Sequence, residues 1–349
     1  MRCWPAILAL GLLACSQAPT SMPVAKVSPT ASAATPSTVP SSAPSSAPTP
    51  IQAIPDLPVS AVGFSCRLPV YQAEGGIADE FLSFPGTTLT VDPSGHNGRY
   101  FDVAYSRWVP APRGAVSPDG AHYASIDYTG SDFVLHLIAV VGGKDAPIHL
   151  PPQAFNGQPE VLDYSADGIY LDNAFEHLLA GLWLVNPSTG QMRQVSKDIY
   201  PVLSAGNGIV WTQAVNPADV NPVVTRSSAG TLPDEIDRVD LRSGARTQWL
   251  YEPGKGLGII GLDSRGSPLI VDTTVWGADP NARLLLVAHA GSPTPIYKGA
   301  IVQEIGGGIT DLHGTWLSGQ AGIYLYTNSG ALLKVSDHPA YAYLANGCI

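Results

Sequence analysis

Charge is scarce in this chain of 349 residues, where Asp, Glu, Lys and Arg together make up 13%. That excludes long helical bundles and coiled coils, which depend on Glu, Lys and Arg at their exposed positions. Basic residues are the scarcer sign, 18 Lys plus Arg against 28 Asp plus Glu for a formal net charge of -10, and they form no run. A protein that neutralises phosphates needs the opposite balance, so nucleic acid is excluded as a partner. The eight His form no His-x-His or His-Glu-x-x-His, and no Gly-x-Ser-x-Gly occurs. A zinc site and a hydrolase nucleophile elbow therefore lack their usual residues, and neither a metal nor a cofactor is expected. What the chain has instead is 36 Gly, 32 Pro and 45% hydrophobic residues, the composition of a turn-rich protein with a sizeable core.

The first sixty residues differ from the rest. Met1-Arg2 precedes an apolar run, Trp4 to Ala14, too short to span a bilayer but of the length of a secretory signal core. Residues 1–14 are thus expected to be a signal peptide. The run ends Leu12-Leu13-Ala14-Cys15, which resembles the lipobox of bacterial lipoproteins; the alternative is an ordinary signal peptide cut at another small residue. The lipobox resemblance implies acylation of Cys15 and an extracytoplasmic protein lipid-anchored to a bacterial membrane. Each buried methylene of such an anchor contributes about 0.8 kcal/mol. Of the 45 residues from Ser16 to Ser60, 33 are Ser, Thr, Pro or Ala, and only Lys26 and Asp56 are charged. Such a segment cannot bury a core, so residues 15–60 read as a disordered linker with a reach of about 140 Å if fully extended as polyproline II. Its Ser/Thr/Pro density also permits O-glycosylation, although a plain linker accounts for it.

Four Cys occur. Cys3 leaves with the signal and Cys15 takes the lipid, so Cys66 and Cys348 remain, at opposite ends of the folded region. In an oxidising compartment this placement points to a disulfide joining the domain termini, worth about 5 kcal/mol by loop entropy; the alternative is two unpaired buried thiols.

The region 61–349 repeats. Five apolar strands run into a glycine turn: Leu135 to Val140 before Gly142-Gly143, Leu182 to Asn186 before Gly190, Arg238 to Leu241 before Gly244, Leu284 to Val287 before Gly291, and Ile323 to Tyr326 before Gly330. Each follows another hairpin, with its turn at Asp119-Gly120, Asp167-Gly168, Asn207-Gly208, Arg265-Gly266 or His313-Gly314. Asx-Gly between β-rich runs predicts a type I′ hairpin, in which both central residues take positive φ. Four strands per unit at this spacing predict the blades of a β-propeller. A sixth unit draws on Ala61 to Tyr71, Phe81 to Asp92 and Tyr100 to Pro110. The fold class is therefore all-β, a six-bladed β-propeller with seven blades as the alternative, whose ring is closed by strands from both chain ends and locked by Cys66–Cys348.

Val116-Ser117-Pro118-Asp119-Gly120-Ala121-His122-Tyr123 and Tyr164-Ser165-Ala166-Asp167-Gly168-Ile169-Tyr170 resemble the Ser-Pro-Asp-Gly turns of TolB-like propeller repeats. The turns around Arg265-Gly266 and His313-Gly314 are looser versions. The resemblance implies protein binding at the cell envelope, without the extra N-terminal α/β domain of that family. The same turns resemble sialidase Asp-boxes, which are structural, with His122-Tyr123 departing from their Thr-Trp ending.

In a propeller, the turns between strands one and two and between three and four share one face. Here those are tight, and the long connections fall on the other face, at Tyr128 to Phe133, Asn173 to Ala180, Ala214 to Glu235 and Thr273 to Ala282. Loops on a rigid scaffold are where recognition is built. The candidate ligand-binding residues are Tyr128, Asp132, Phe175, Glu176, His177, Asn216, Asp219, Asn221, Arg226, Trp276 and Asp279. No catalytic residue emerges, so a non-enzymatic, monomeric binding or scaffold module for a protein or glycan is expected. The alternative is a carbohydrate-active propeller hydrolase or lyase using channel carboxylates.

Overall fold

A computed structural model describes residues 57–349, apart from 73–78, 96–97, 131, 156, 173–180, 198–200, 207, 216–232, 275–278, 300–301, 303–304 and 340–341, and gives the backbone alone at 201–206. The signal, Cys15 and nearly all of the linker lie outside the described residues. Among those described, no helix is long and apolar enough to cross a membrane.

The chain is a six-bladed β-propeller. Blade I contains β1 (Cys66–Gln72), β2 (Asp79–Phe84) and β3 (Thr88–Val91). A hairpin of β4 (Tyr100–Asp102) and β5 (Arg107–Val109) leads to blade II, with β6 (His122–Tyr128), β7 (Phe133–Ala139) and β8 (Asp145–Leu150). Blade III holds β9 (Glu160–Ser165), β10 (Gly168–Asp172), β11 (Leu182–Val185) and β12 (Met192–Ser196). Blade IV holds β13 (Pro201–Gly206), β14 (Ile209–Ala214), β15 (Glu235–Asp240) and β16 (Arg246–Tyr251). Blade V holds β17 (Gly256–Leu262), β18 (Pro268–Thr273), β19 (Arg283–His289) and β20 (Ser292–Lys298). Blade VI holds β21 (Ile305–Thr310), β22 (Gly314–Gly319), β23 (Gly322–Thr327) and β24 (Leu332–Ser336), and the last strand is β25 (Ala342–Leu344). Blades III to VI pair in chain order, whereas β25 crosses back to form the inner strand of blade I, in the order β25-β1-β2-β3.

The sequence pattern follows from this stacking. The middle strands are covered on both faces, so β10, β11, β18 and β22 are buried at every residue and do not alternate. The outermost strand β3 is exposed at all four positions. Apolar clusters fill the seams between blades. Leu135, Phe155, Ile169 and Trp183 join II to III, and Trp211, Ile236, Ile270 and Leu285 join IV to V. Leu284, Leu317 and Tyr324 join V to VI, and Leu68, Leu82, Trp316 and Leu325 join VI to I.

The five hairpin pairs read from the sequence occur at the expected turns. Their geometry differs from type I′: Gly120, Gly168, Gly266 and Gly314 take φ of 70°, 133°, 80° and 140°, while the residues before them do not have positive φ. Glycine alone carries the left-handed conformation, and side chains do the rest. Asp119 Oδ1 accepts hydrogen bonds from Ser117 Oγ and the Ala121 amide, at 2.6 and 3.0 Å. Asp263 Oδ1 likewise accepts from the amides of Arg265 and Ser267, and Asp240 Oδ1 from those of Arg242 and Ser243.

The sixth unit is also built differently from its sequence reading. Tyr100–Pro110 does not complete blade I; β4 and β5 form a separate two-stranded sheet wedged at the seam between blades I and II. Phe101 and Trp108 meet Phe81 of blade I at 5.1 and 5.6 Å, while Val109 packs with Val116 and Val140 of blade II. The inner edge of blade II is reduced to one bridge, Val116 to Tyr123.

Ring closure uses both chain ends. β25 pairs with β1 through Val70–Leu344, Tyr71–Tyr343 and Gln72–Ala342. The Arg67 and Ile349 backbones exchange hydrogen bonds at 3.0 and 2.9 Å, and the Cys66–Cys348 disulfide spans Cα atoms 5.6 Å apart. Asp311 binds the tail from blade VI, its Oδ2 accepting from Trp316 Nε1 at 2.7 Å and from the Cys348 amide at 2.6 Å. Upstream, Val59 bridges Lys334, so Leu57–Ser60, the end of the segment read as linker, lies along β24.

Replacing Cys66 and Cys348 by Ser should lower unfolding stability by about 3–5 kcal/mol, read from guanidinium melts, because the bridge closes nearly the whole domain into one loop. A Cβ at Gly308 would stand 2.6 Å from Leu317 Cδ2 and 3.1 Å from the Trp316 carbonyl oxygen. Gly308→Ala should therefore cost about 1–3 kcal/mol in the same assay, whereas Gly307→Ala, with nothing within 4 Å, should be neutral or slightly stabilising.

Candidate functional site

Each blade starts its inner strand at the face carrying the long connections, and the second and third strands of a blade meet there through those connections. The opposite face has the Asx- and Gly-stabilised turns described above. The ends of β10, β14 and β18 and the starts of β11, β15 and β19 therefore share this face, where residues 173–181, 215–234 and 274–282 join them in blades III, IV and V.

Of the sequence-derived candidates, three lie within the described residues. Tyr128 ends β6 with 58% of its surface exposed; its hydroxyl donates to the Gly130 carbonyl at 2.7 Å and its ring packs against Phe133 at 5.1 Å. Asp132 closes the same loop, its carbonyl accepting from the Thr129 amide. Asp279 is 2% exposed and organises its own connection, accepting from the amides of Thr274 and Asn281, both at 2.8 Å, and from the Thr274 hydroxyl at 2.7 Å. The Thr274 amide, foremost among these donors, helps hold the Asp279 carboxyl at about 2. The structure thus brings Tyr128 and Asp132 together in blade II and places Asp279 in blade V. Phe175, Glu176, His177, Asn216, Asp219, Asn221, Arg226 and Trp276 lie outside the described residues.

Beneath this face the structure reveals buried carboxylates at the strand ends that bear the connections. Asp79 in blade I, 1% exposed, accepts from the Gly98 amide at 3.1 Å. Asp237 in blade IV, 1% exposed, takes Arg246 Nε at 2.6 Å with Glu235 close by. Burial pushes the Asp237 carboxyl up, against the pull of Arg246. Asp272 in blade V, fully buried, pairs with Arg283 and has Lys255 Nζ at 3.6 Å. Asp172 in blade III stands apart: like Asp237 and Asp272 it has an Oδ1 without a hydrogen-bond partner among the described residues, but no arginine or lysine among them pairs with it, and its cross-strand neighbour is another acid, Glu160. Burial, reinforced by the Glu160 charge, raises its carboxyl to about 7. These acids went unnoticed in the sequence, although a signal exists: an Asp follows an aliphatic residue near the loop end of a middle strand in Leu171-Asp172, Ile236-Asp237 and Val271-Asp272.

Two cavities accompany these features. One, of about 390 Å³, lies at the ring closure against Arg67, Phe81, Phe101 and Ile349. The other, of about 270 Å³, lies in the central channel between the inner strands of blades V, VI and I. No group of three His, Cys, Asp or Glu among the described residues could hold a metal ion. The arrangement offers shaped and partly polar surface on one face, the requirement of recognition.

Asp172 gives the fold a pH dependence with a defined sign. Its folded value exceeds that of an ordinary carboxyl, so from about pH 4 to 7 the folded chain keeps a proton that the unfolded chain releases. Stability from this group is then lost as pH rises through that window, by at most about 4 kcal/mol. Asp172→Asn should remove the loss: relative to the parent, the variant should gain stability between pH 4.5 and pH 8, as measured by urea midpoints at both values.

No family model matches the chain, and no curated protein matches it. Among solved structures it is similar to TolB from Acinetobacter baumannii, at 12% identity and a TM-score of 0.38, over 77% of this chain and 65% of that one. It is similar to the WD40 domain of Toxoplasma gondii coronin, at 12% identity and a TM-score of 0.33, over 84% of this chain and 77% of that one. It is also similar to the acylaminoacyl peptidase of Pyrococcus horikoshii, at 8% identity and a TM-score of 0.31, over 61% of this chain and 43% of that one. The chain spans less than two thirds of the length of the TolB and peptidase chains.

Proposed function

We propose that the protein is a tethered, non-enzymatic binding module of the bacterial cell envelope. In this reading, lipid on Cys15 anchors it to the membrane and residues 16–56 hold the propeller away from the surface. The face that carries the long connections meets a protein or glycan ligand. The observation behind this reading is the partition of the connections. One face is built of tight turns whose polar side chains are used internally, while the longest connections, in blades III, IV and V, join strand ends at the other. Long segments cost conformational entropy on ordering, and a rigid ring that carries them on one face presents a recognition surface. Tyr128 adds an exposed ring to that face, and aromatic side chains beside adaptable polar loops are typical anchors of interfaces.

In-cell cross-linking followed by affinity capture should enrich a defined partner with the intact chain and lose it with Phe175→Ala, Arg226→Ala and Trp276→Ala combined, at unchanged thermal stability. Equal enrichment by both forms would count against this face. Incorporation of a labelled fatty acid should require Cys15, and Cys15→Ser should release the protein from the membrane fraction; retention there without label would refute the anchor.

A further inference from the structure

Glycines on the inner strands fall into two groups. Gly261 and Gly308 are required by packing: a Cβ on Gly261 would lie 3.3 Å from Gly308 Cα, and one on Gly308 would lie 3.2 Å from the Ile260 carbonyl oxygen as well as against Leu317. Gly258, Gly306 and Gly307 are not. A Cβ would first meet Gln213 Nε2 at 3.8 Å at Gly258 and Ser318 Oγ at 3.5 Å at Gly306, with nothing within 4 Å at Gly307. None of the three has the positive φ that favours glycine. Glycine inside a strand costs roughly 0.5–1 kcal/mol relative to Ala, and one without a steric reason marks a bulge or a place where something else approaches the backbone.

For Gly307 that place is the channel cavity of about 270 Å³, which it lines together with Gly308; Gly258 and Gly306 do not line it. One wall is the Tyr71–Tyr343 pair, adjacent on β1 and β25, with rings stacked at 5.2 Å and 21° and with Tyr343 50% exposed. Ile259 and Ile309 form an aliphatic wall, and Ser318 brings a hydroxyl near the Gly307 carbonyl. The β21–β22 register skips between Ile305 and Gly308, so Gly306 and Gly307 lie outside the regular ladder, and Gly307 lines the cavity. None of the described residues lining the cavity carries a charge. A charged ligand would lose its hydration there without gaining a counter-charge. A hydrocarbon would cover backbone polar groups without hydrogen-bonding them. A ring with apolar C–H faces and hydroxyls around its edge meets both requirements, stacking on tyrosine while its hydroxyls take the glycine backbone and Ser318.

We infer that the channel cavity bounded by Tyr71, Tyr343, Gly307 and Ser318 binds one neutral pyranose ring of a glycan. The inference deepens the binding-module reading but places the contact in the channel instead of on the long connections, so the two can fail separately. The test is saturation-transfer NMR and calorimetry on the full chain, with methyl β-glucopyranoside, methyl β-galactopyranoside and N-acetylglucosamine as neutral probes and glucuronate as the charged one. At least one neutral probe should bind at millimolar or lower concentration, and glucuronate about tenfold more weakly or not at all. Tyr343→Ala should weaken binding about tenfold, and Tyr343→Phe should retain it within about threefold, since stacking needs the ring and not the hydroxyl. Gly307→Val should abolish binding at an unchanged melting temperature, with Gly307→Ala as the milder form if Val disturbs the fold. The combined Phe175, Arg226 and Trp276 variant should still bind the probe. Absence of binding by all three neutral probes, preference for glucuronate, or binding that survives Gly307→Val would overturn the inference.

Discussion

The structure depends on one constraint, the return of the C-terminus to the N-terminus. A propeller blade buries its middle strands only when neighbours cover both faces, so a ring that fails to close leaves two blades half exposed. Here closure is made three times over. β25 completes the sheet of β1, the disulfide joins Cys66 to Cys348, and Asp311 accepts hydrogen bonds from both Trp316 and the Cys348 amide. The third contact matters because it ties the tail to blade VI as well as blade I. The last seam is thereby fastened from both sides, with Trp316 and Leu68 buried between them.

The seam between blades I and II is solved by different means. Blade II has no full inner strand, and the β4–β5 hairpin supplies the missing surface, its Phe101 and Trp108 against Phe81 and its Val109 against Val116. The C-terminus joins here too: the Phe101 amide donates to the Ala345 carbonyl, and Asn346 Nδ2 donates to the Phe101 carbonyl at 2.8 Å. One tail therefore fixes blade VI, blade I and the wedge.

Most of the buried acids among the described residues lie beneath the long-connection face. Asp79, Asp237, Asp272 and Asp279 are buried at strand ends, where each carboxylate is matched by amides, hydroxyls or a guanidinium. Burying a carboxylate is costly unless it is so matched, and these acids serve to hold the roots of the connections in place. Asp172 is buried beside Glu160 with no cation paired to it among the described residues, and burial and that neighbouring charge are why it resists ionisation. The channel wall of blades V, VI and I has the opposite character, aromatic, aliphatic and glycine-rich.

What the sequence alone determined is local. The repeat of five hairpin pairs, the glycines at their turns and the pairing of two leftover cysteines were legible because left-handed backbone and Asx capping are decided within a few residues. The partition into a tight-turn face and a long-connection face followed from the same spacing. Only the tertiary structure decided that Tyr100–Pro110 is a wedge and not a blade strand, since a short β-rich hairpin has the same pattern in either place. It alone placed Asp172 opposite Glu160, because cross-strand partners are set by register between segments whose order the composition does not encode. It alone separated Gly307 from Gly308: adjacent and identical in sequence, one has no described atom within 4 Å of a Cβ and the other abuts Leu317 of its own blade and the Ile260 carbonyl of blade V, contacts set by strand register and blade packing together.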